Sequence, residues 1–149
     1  MGRSYTNIIT HIIFHIKDSE CAMKEEDLSQ IYCYIGGIIR SLSGFTYTIG
    51  GRPDHIHILA SLPASMALSD YVRTIKANSS KWMKSLGTEY ANFSWQEGYG
   101  AFSVSESMKD AVIDYIKHQK EHHQCRAAND EFAHFLERNG LLSDFVSRK

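Results

Sequence analysis

Two histidines separated by one residue, and a tyrosine followed four residues later by a glutamine, are the parts of this sequence best suited to chemistry. In Asp54-His55-Ile56-His57-Ile58-Leu59, the alternation of a strand sends both imidazoles from one face and Ile56 and Ile58 to the other. That is the geometry of a two-histidine chelate. If the isoleucines face a helical layer, His55 and His57 occupy the free face of the sheet, open to solvent and to an extended ligand. The plainer reading is a pair of half-exposed histidines without a task. In Tyr115-Ile116-Lys117-His118-Gln119, residues four apart share one side of a helix, so a tyrosine oxygen and a glutamine amide would meet at one point. Here the plainer reading is that Tyr115 extends the apolar stripe of Met108 and Val112. The same side continues as Gln119, His122 and Arg126, which is a polar run unlike a core stripe. The face is therefore expected to leave the core for a polar site.

Two neutral imidazoles and a glutamine carbonyl oxygen make a mixed nitrogen and oxygen site, with positions over for water and a phosphate oxygen. A hard divalent ion such as Mg²⁺ or Mn²⁺ suits it, and zinc stays open. Such an ion neutralises and polarises a phosphate as a nucleophile arrives. Tyrosine, with a pKa of about 10, attacks well only after losing its proton, so a neighbouring cation helps. An aryl oxygen is also a good leaving group. A phosphotyrosine link can thus be reversed by a free 3′-hydroxyl, joining strands without ATP.

The elements that must position these residues follow from hydrophobic periodicity. Tyr5 to Lys17 reads as one long strand in which Ile8, Ile12, Phe14 and Ile16 share a parity and His11 and His15 take the other. Leu28, Ile31, Tyr32, Ile35, Ile38, Ile39 and Leu42 recur at helical spacing and stop at Ser43-Gly44. Phe45 to Ile49 and His55 to Leu62 read as strands joined by a hairpin loop, Gly50-Gly51-Arg52-Pro53-Asp54. A helix from about Met66 to Leu86 carries the apolar stripe Leu68, Tyr71, Val72, Ile75, Trp82 and Leu86. A short strand from Ala101 to Ser105, a helix from Met108 to about Cys125 and a short helix from Asp130 to Arg138 complete the chain. The order strand, helix, strand, strand, helix, strand is that of an α+β, ferredoxin-like (RRM-like) split βαβ fold: an antiparallel sheet with helices on one face, plus a C-terminal helix carrying the tyrosine.

Bulk properties set the bounds. At 149 residues the chain fits one domain with a real core, and no repeat or linker argues for a second. Residues 1–149 are read as that single domain. An apolar content of 43% with 22% charged residues excludes a disordered or collagen-like chain. Cys21, Cys33 and Cys125 form neither a disulfide framework nor a CxxC pair, and are expected to be buried thiols in a reducing compartment. With no signal-peptide pattern and no apolar run of membrane-spanning length, the expected location is cytoplasmic, with no membrane partner. A net charge of −1 requires any contact with nucleic acid to be local, whereas eight histidines favour metal ligation.

The ordered set Pro53-Asp54-His55-Ile56-His57-Ile58-Leu59, Trp95-Gln96-Glu97-Gly98-Tyr99-Gly100-Ala101-Phe102-Ser103 and Tyr115-Ile116-x-x-Gln119-x-x-His122-His123 resembles the single-tyrosine HUH transposases. These are the insertion-sequence 200/605 type and the repeat-associated tyrosine transposases. Each piece is short, but together they run in order over most of the chain. The resemblance implies that His55 and His57 are the HUH metal ligands, Gln119 the third ligand, and Tyr115 the nucleophile that becomes joined to a DNA 5′-phosphate. It also implies single-stranded DNA with hairpin ends as substrate, Mg²⁺ or Mn²⁺ as cofactor, and a homodimer.

Around this centre, Arg73, Lys76, Lys81 and Lys84 make a basic helical face with no acid among them, suited to phosphates or simply to solvent. Arg52, beside the histidine strand, is the better-placed single cation. Tyr99 and Phe102 could stack on bases or belong to the core. Two other functions compete: a non-catalytic binder of single-stranded nucleic acid, as in RNA-binding modules of similar fold, and a metal phosphodiesterase that uses water while Tyr115 is structural. Against the first, the first strand lacks the aromatic run of such modules, and a binder has no reason to align H-x-H with Tyr-x-x-x-Gln.

Overall fold

The structure is a computed structural model that describes residues 2–18 and 21–119. Strands β1 (Ile9–His15), β2 (Thr46–Arg52), β3 (His55–Ser61) and β4 (Gly100–Val104) alternate with helices α1 (Leu28–Ser41), α2 (Leu68–Met83) and α3 (Lys109–Lys117). The strands form one antiparallel sheet in the order β2-β3-β1-β4. This is the α+β split βαβ arrangement read from the sequence.

The even-numbered residues of the central strands build the main core. Ile12 and Phe14 of β1 and Ile56 and Ile58 of β3 pack against Ile31, Ile35 and Ile39 of α1 and Tyr71, Val72 and Ile75 of α2. Complete burial of each such isoleucine stabilises the fold by roughly 1.5–3 kcal/mol relative to exposure. Trp95 closes one end, its ring edge-on to Phe14 and its indole N–H donating to the buried Ser79 hydroxyl.

The second face of the sheet was expected to be free, and it is not. α3 lies across it, and Ile116 joins Ile9 and Leu59 in a small second core flanked by Tyr47, Val104, Val112, Ile113 and Tyr115. α3 comes this close because Gly50, on β2 opposite His57, has no side chain. A Cβ there would stand 2.6 Å from the Ile116 carbonyl oxygen.

Several boundaries differ from the sequence expectation for local reasons. β1 begins at Ile9 rather than Tyr5, since its ladders to β3 and β4 start at Ile9, and Tyr5 and Ile8 are exposed. The β2–β3 hairpin is tighter than expected: Gly50, Gly51 and Arg52 belong to β2, and Pro53 and Asp54 alone make the turn. Gly51 lies in the ladder with φ of 148°, a conformation that a side chain would strain. α1 stops as expected, although Ser43, not Gly44, takes the left-handed conformation (φ 68°). α2 is shorter at both ends than the range 66–86. Met108, expected in the stripe of the third helix, is exposed in the turn before α3.

α3 itself ends at Lys117, where His118 leaves helical geometry (φ −105°, ψ 27°) and its Nδ1 donates to the Asp114 carbonyl. The expected continuation to Cys125, with His122, His123 and Arg126, and the helix 130–138 lie outside the described residues. Cys33 is exposed and Cys21 half-buried, which corrects the expectation of buried thiols. Among the described residues no helix is long and apolar enough to cross a membrane.

Candidate active site

The odd-numbered residues of β1 and β3 point toward α3. His15 lies directly opposite His55, and residues paired across an antiparallel ladder share a face, so His11, His15, His55 and His57 crowd together. The His15 and His55 rings stack at 5.4 Å, those of His11 and His57 at 5.1 Å, and His55 and His57 meet edge to face at 5.0 Å. Covered by α3, His55, His57 and Gln119 are each only 1% exposed and His11 2%. They are not the half-exposed residues of the plainer reading.

His55 is held from both sides. Its Nδ1 lies 2.7 Å from Asp54 Oδ1, and this hydrogen bond is the chief reason that the Asp54 carboxyl is held below the usual carboxylate range. Its Nε2 faces Gln119 Oε1 at 3.2 Å, while Gln119 Nε2 turns back toward the Tyr115 carbonyl. With Nδ1–H given to Asp54, Nε2 presents a lone pair to a carbonyl oxygen. Two acceptors so placed repel unless a proton or a cation lies between them, so the donor set fits a divalent ion. Its carboxylate-backed histidine is a common arrangement at metal centres.

His57 Nδ1 is 2.8 Å from His11 Nε2, so Nε2 is the His57 nitrogen that would ligate. Burial pushes the His11 imidazole down to about 3, leaving it neutral at physiological pH. The Tyr115 ring stands edge-on to His57 at 6.0 Å, while also packing on the small second core. Thus α3 carries Tyr115 over one imidazole and Gln119, just past the helix end, against the other. Among the described residues, no three His, Cys, Asp or Glu side chains form a metal cluster.

Residues 4–119 match the family described as "Transposase IS200 like". The chain belongs to that family. No curated protein matches it. A protein of Deinococcus radiodurans R1 assigned as a transposase superposes with a TM-score of 0.61 at 21% identity, over 80% of this chain and 96% of that one. The structure of a REP-associated tyrosine transposase bound to a REP hairpin gives 0.58 at 17% identity, over 83% of this chain and 73% of that one. At these identities the likeness is one of fold, and it agrees with the α+β sheet described above.

Relative to this IS200-like centre, the other sequence candidates are scattered. Arg73, Lys76, Lys81 and Lys84 belong to α2 or follow its last turn, and α2 packs on the opposite face of the sheet. Their face is not free of acids: Arg73 pairs with Asp70 one turn earlier. The Lys76 ammonium donates to the Gln96 and Gly98 carbonyls at 2.6 and 2.8 Å, so it ties down the loop before β4. Lys81 and Lys84 are exposed. Tyr99 is exposed and lines, with Arg73, Lys76 and Trp95, a groove of about 430 Å³ beside α2. Arg52 donates to Glu25 just before α1. Phe102 is buried, its ring set against His11, and so is not a platform for bases.

Sequence reasoning missed Asp54 and His11 as partners of the two central histidines. The signal for His11 was its parity, opposite to Ile12 and Phe14, combined with the adjacency of the first and third strands in a split βαβ sheet.

Proposed function

We propose that this IS200-like transposase is a metal-dependent endonuclease and strand transferase for single-stranded DNA with hairpin ends, in which Tyr115 is the nucleophile and His55, His57 and Gln119 hold Mg²⁺ or Mn²⁺. The observation that carries this reading is the approach of His55 Nε2 and Gln119 Oε1 to 3.2 Å, beside a tyrosine edge-on to His57. The bound ion supplies charge neutralisation at the scissile phosphate.

The chain's own residues do the rest. Asp54 fixes the His55 ring so that Nε2 faces the site. Tyr115 gives up its phenolic proton and its oxygen attacks phosphorus; an O–P bond to tyrosine forms, the P–O3′ bond breaks, and the leaving oxygen takes up a proton as a free 3′-hydroxyl. A 3′-hydroxyl attacking the phosphotyrosine reverses the exchange and restores the phenol. The REP-associated tyrosine transposase was solved on a hairpin, which supports the same substrate class here, and the family resemblance adds a homodimer. Arg52, Arg73, Lys81, Lys84 and Tyr99 remain candidates for DNA contacts away from the scissile bond, with Lys76 acting by holding the loop that carries Tyr99.

Incubation with single-stranded hairpin oligonucleotides and Mn²⁺ should yield a denaturant-resistant protein–DNA adduct that EDTA prevents. Full activity in EDTA would remove the metal from the reading. Asp54→Ala, which frees the His55 ring to rotate, is expected to weaken Mn²⁺ binding by about 10–100-fold, as read by calorimetry. Unchanged affinity would separate Asp54 from the site.

A further inference from the structure

We infer that His11 is a positioning residue, which sets the proton of His57 so that its Nε2 can bind a metal ion; this rests on the reading of His57 as a ligand. His11 Nε2 and His57 Nδ1 are 2.8 Å apart, and both residues are buried. Two imidazole nitrogens at that distance share one proton. If His11 donates, a neutral His57 carries its own proton on Nε2 and has no lone pair there. If His57 donates from Nδ1, Nε2 carries the lone pair that ligation requires. Only the second arrangement is compatible with a metal held by His57.

The packing keeps His11 in place for that role. Its ring stacks on His57 with 28° between the planes, and Phe102 of β4 closes on it edge-on at 6.4 Å. His11 is also fixed by the strand itself, since β1 is paired on both sides at this point, with Leu59 and Phe102. The two histidines are thus oriented by different chemistry: Asp54 backs His55 with a carboxylate, and His11 faces His57 with a second imidazole.

The test uses the full chain labelled with ¹⁵N. In metal-free protein, long-range proton–nitrogen correlation spectra should show His57 protonated on Nδ1. His11→Leu should leave the His57 ring in a mixture of tautomers and weaken Mn²⁺ binding by about 10–100-fold. His11→Gln, whose side-chain oxygen can accept from the same Nδ1–H, should recover most of the affinity. If His11→Leu does not fold, the spectrum of the native chain and the affinity of His11→Gln still decide the matter. A native His57 protonated on Nε2 overturns the inference, as does equal Mn²⁺ affinity in the native chain and His11→Leu. Failure of the native chain to bind Mn²⁺ at all overturns instead the assignment of His57 as a ligand.

Discussion

Tyr115→Phe is expected to abolish the covalent protein–DNA adduct and to lower cleavage of a hairpin oligonucleotide by about 10³-fold or more, the scale on which loss of a catalytic nucleophile is felt. The substitution is a clean one in this structure. Phenylalanine keeps the ring that stands edge-on to His57 and packs beside Ile9, Leu59 and Ile116, so the ring's packing is retained while the attacking oxygen of the proposed reaction is removed. Mn²⁺ affinity should stay at the native value, since the proposed ligands are untouched. Denaturing gels after incubation with labelled DNA provide the measurement. An adduct that persists in Tyr115→Phe would place the nucleophile elsewhere. Cleavage that persists without any adduct, in native protein and variant alike, would identify a phosphodiesterase that activates water.

What the sequence could say about this centre was limited by what lay above it. Strand parity put His55 and His57 on one face with Ile56 and Ile58 on the other, and the structure keeps that division. Their exposure was misread, because nothing in the periodicity of β3 reveals that a distant helix covers it. The clue lay in Gly50, which reads naturally as a turn residue and serves instead as a gap in β2 under α3. Likewise, Tyr115 seemed to pose a choice between core and chemistry, yet its ring is half-buried at the edge of a small core and edge-on to His57, a place compatible with both. The basic stripe of α2 was legible as a stripe, but helical spacing cannot tell which layer of a sheet a helix will cover. α2 follows its apolar side onto the main core, and its cations go with it to the far side from His57.

Gly50→Ala should damage activity well beyond its size. The added Cβ would meet the Ile116 carbonyl oxygen at 2.6 Å and the Ile116 Cγ2 at 2.9 Å. The first is backbone and cannot rotate away, so α3 itself must move. Overpacking of this kind costs about 1–3 kcal/mol, seen as a lower midpoint in urea. The larger effect is on geometry: Ile116 is flanked by Tyr115 and lies one turn before Gln119, so a lift of α3 carries the Tyr115 ring and the Gln119 amide away from His57 and His55 together. A displacement of about 1 Å at reacting groups can cost on the order of 10²-fold in rate. Adduct formation should fall by about that factor in protein that is still folded, with Mn²⁺ affinity reduced as well because Gln119 moves. Gly51→Ala is the informative contrast, since its collision is with the His55 carbonyl in the neighbouring strand and its effect should show first as lost stability. If Gly50→Ala formed the adduct at the native rate, the close seating of α3 on β2 would not be what delivers Tyr115 to the histidines.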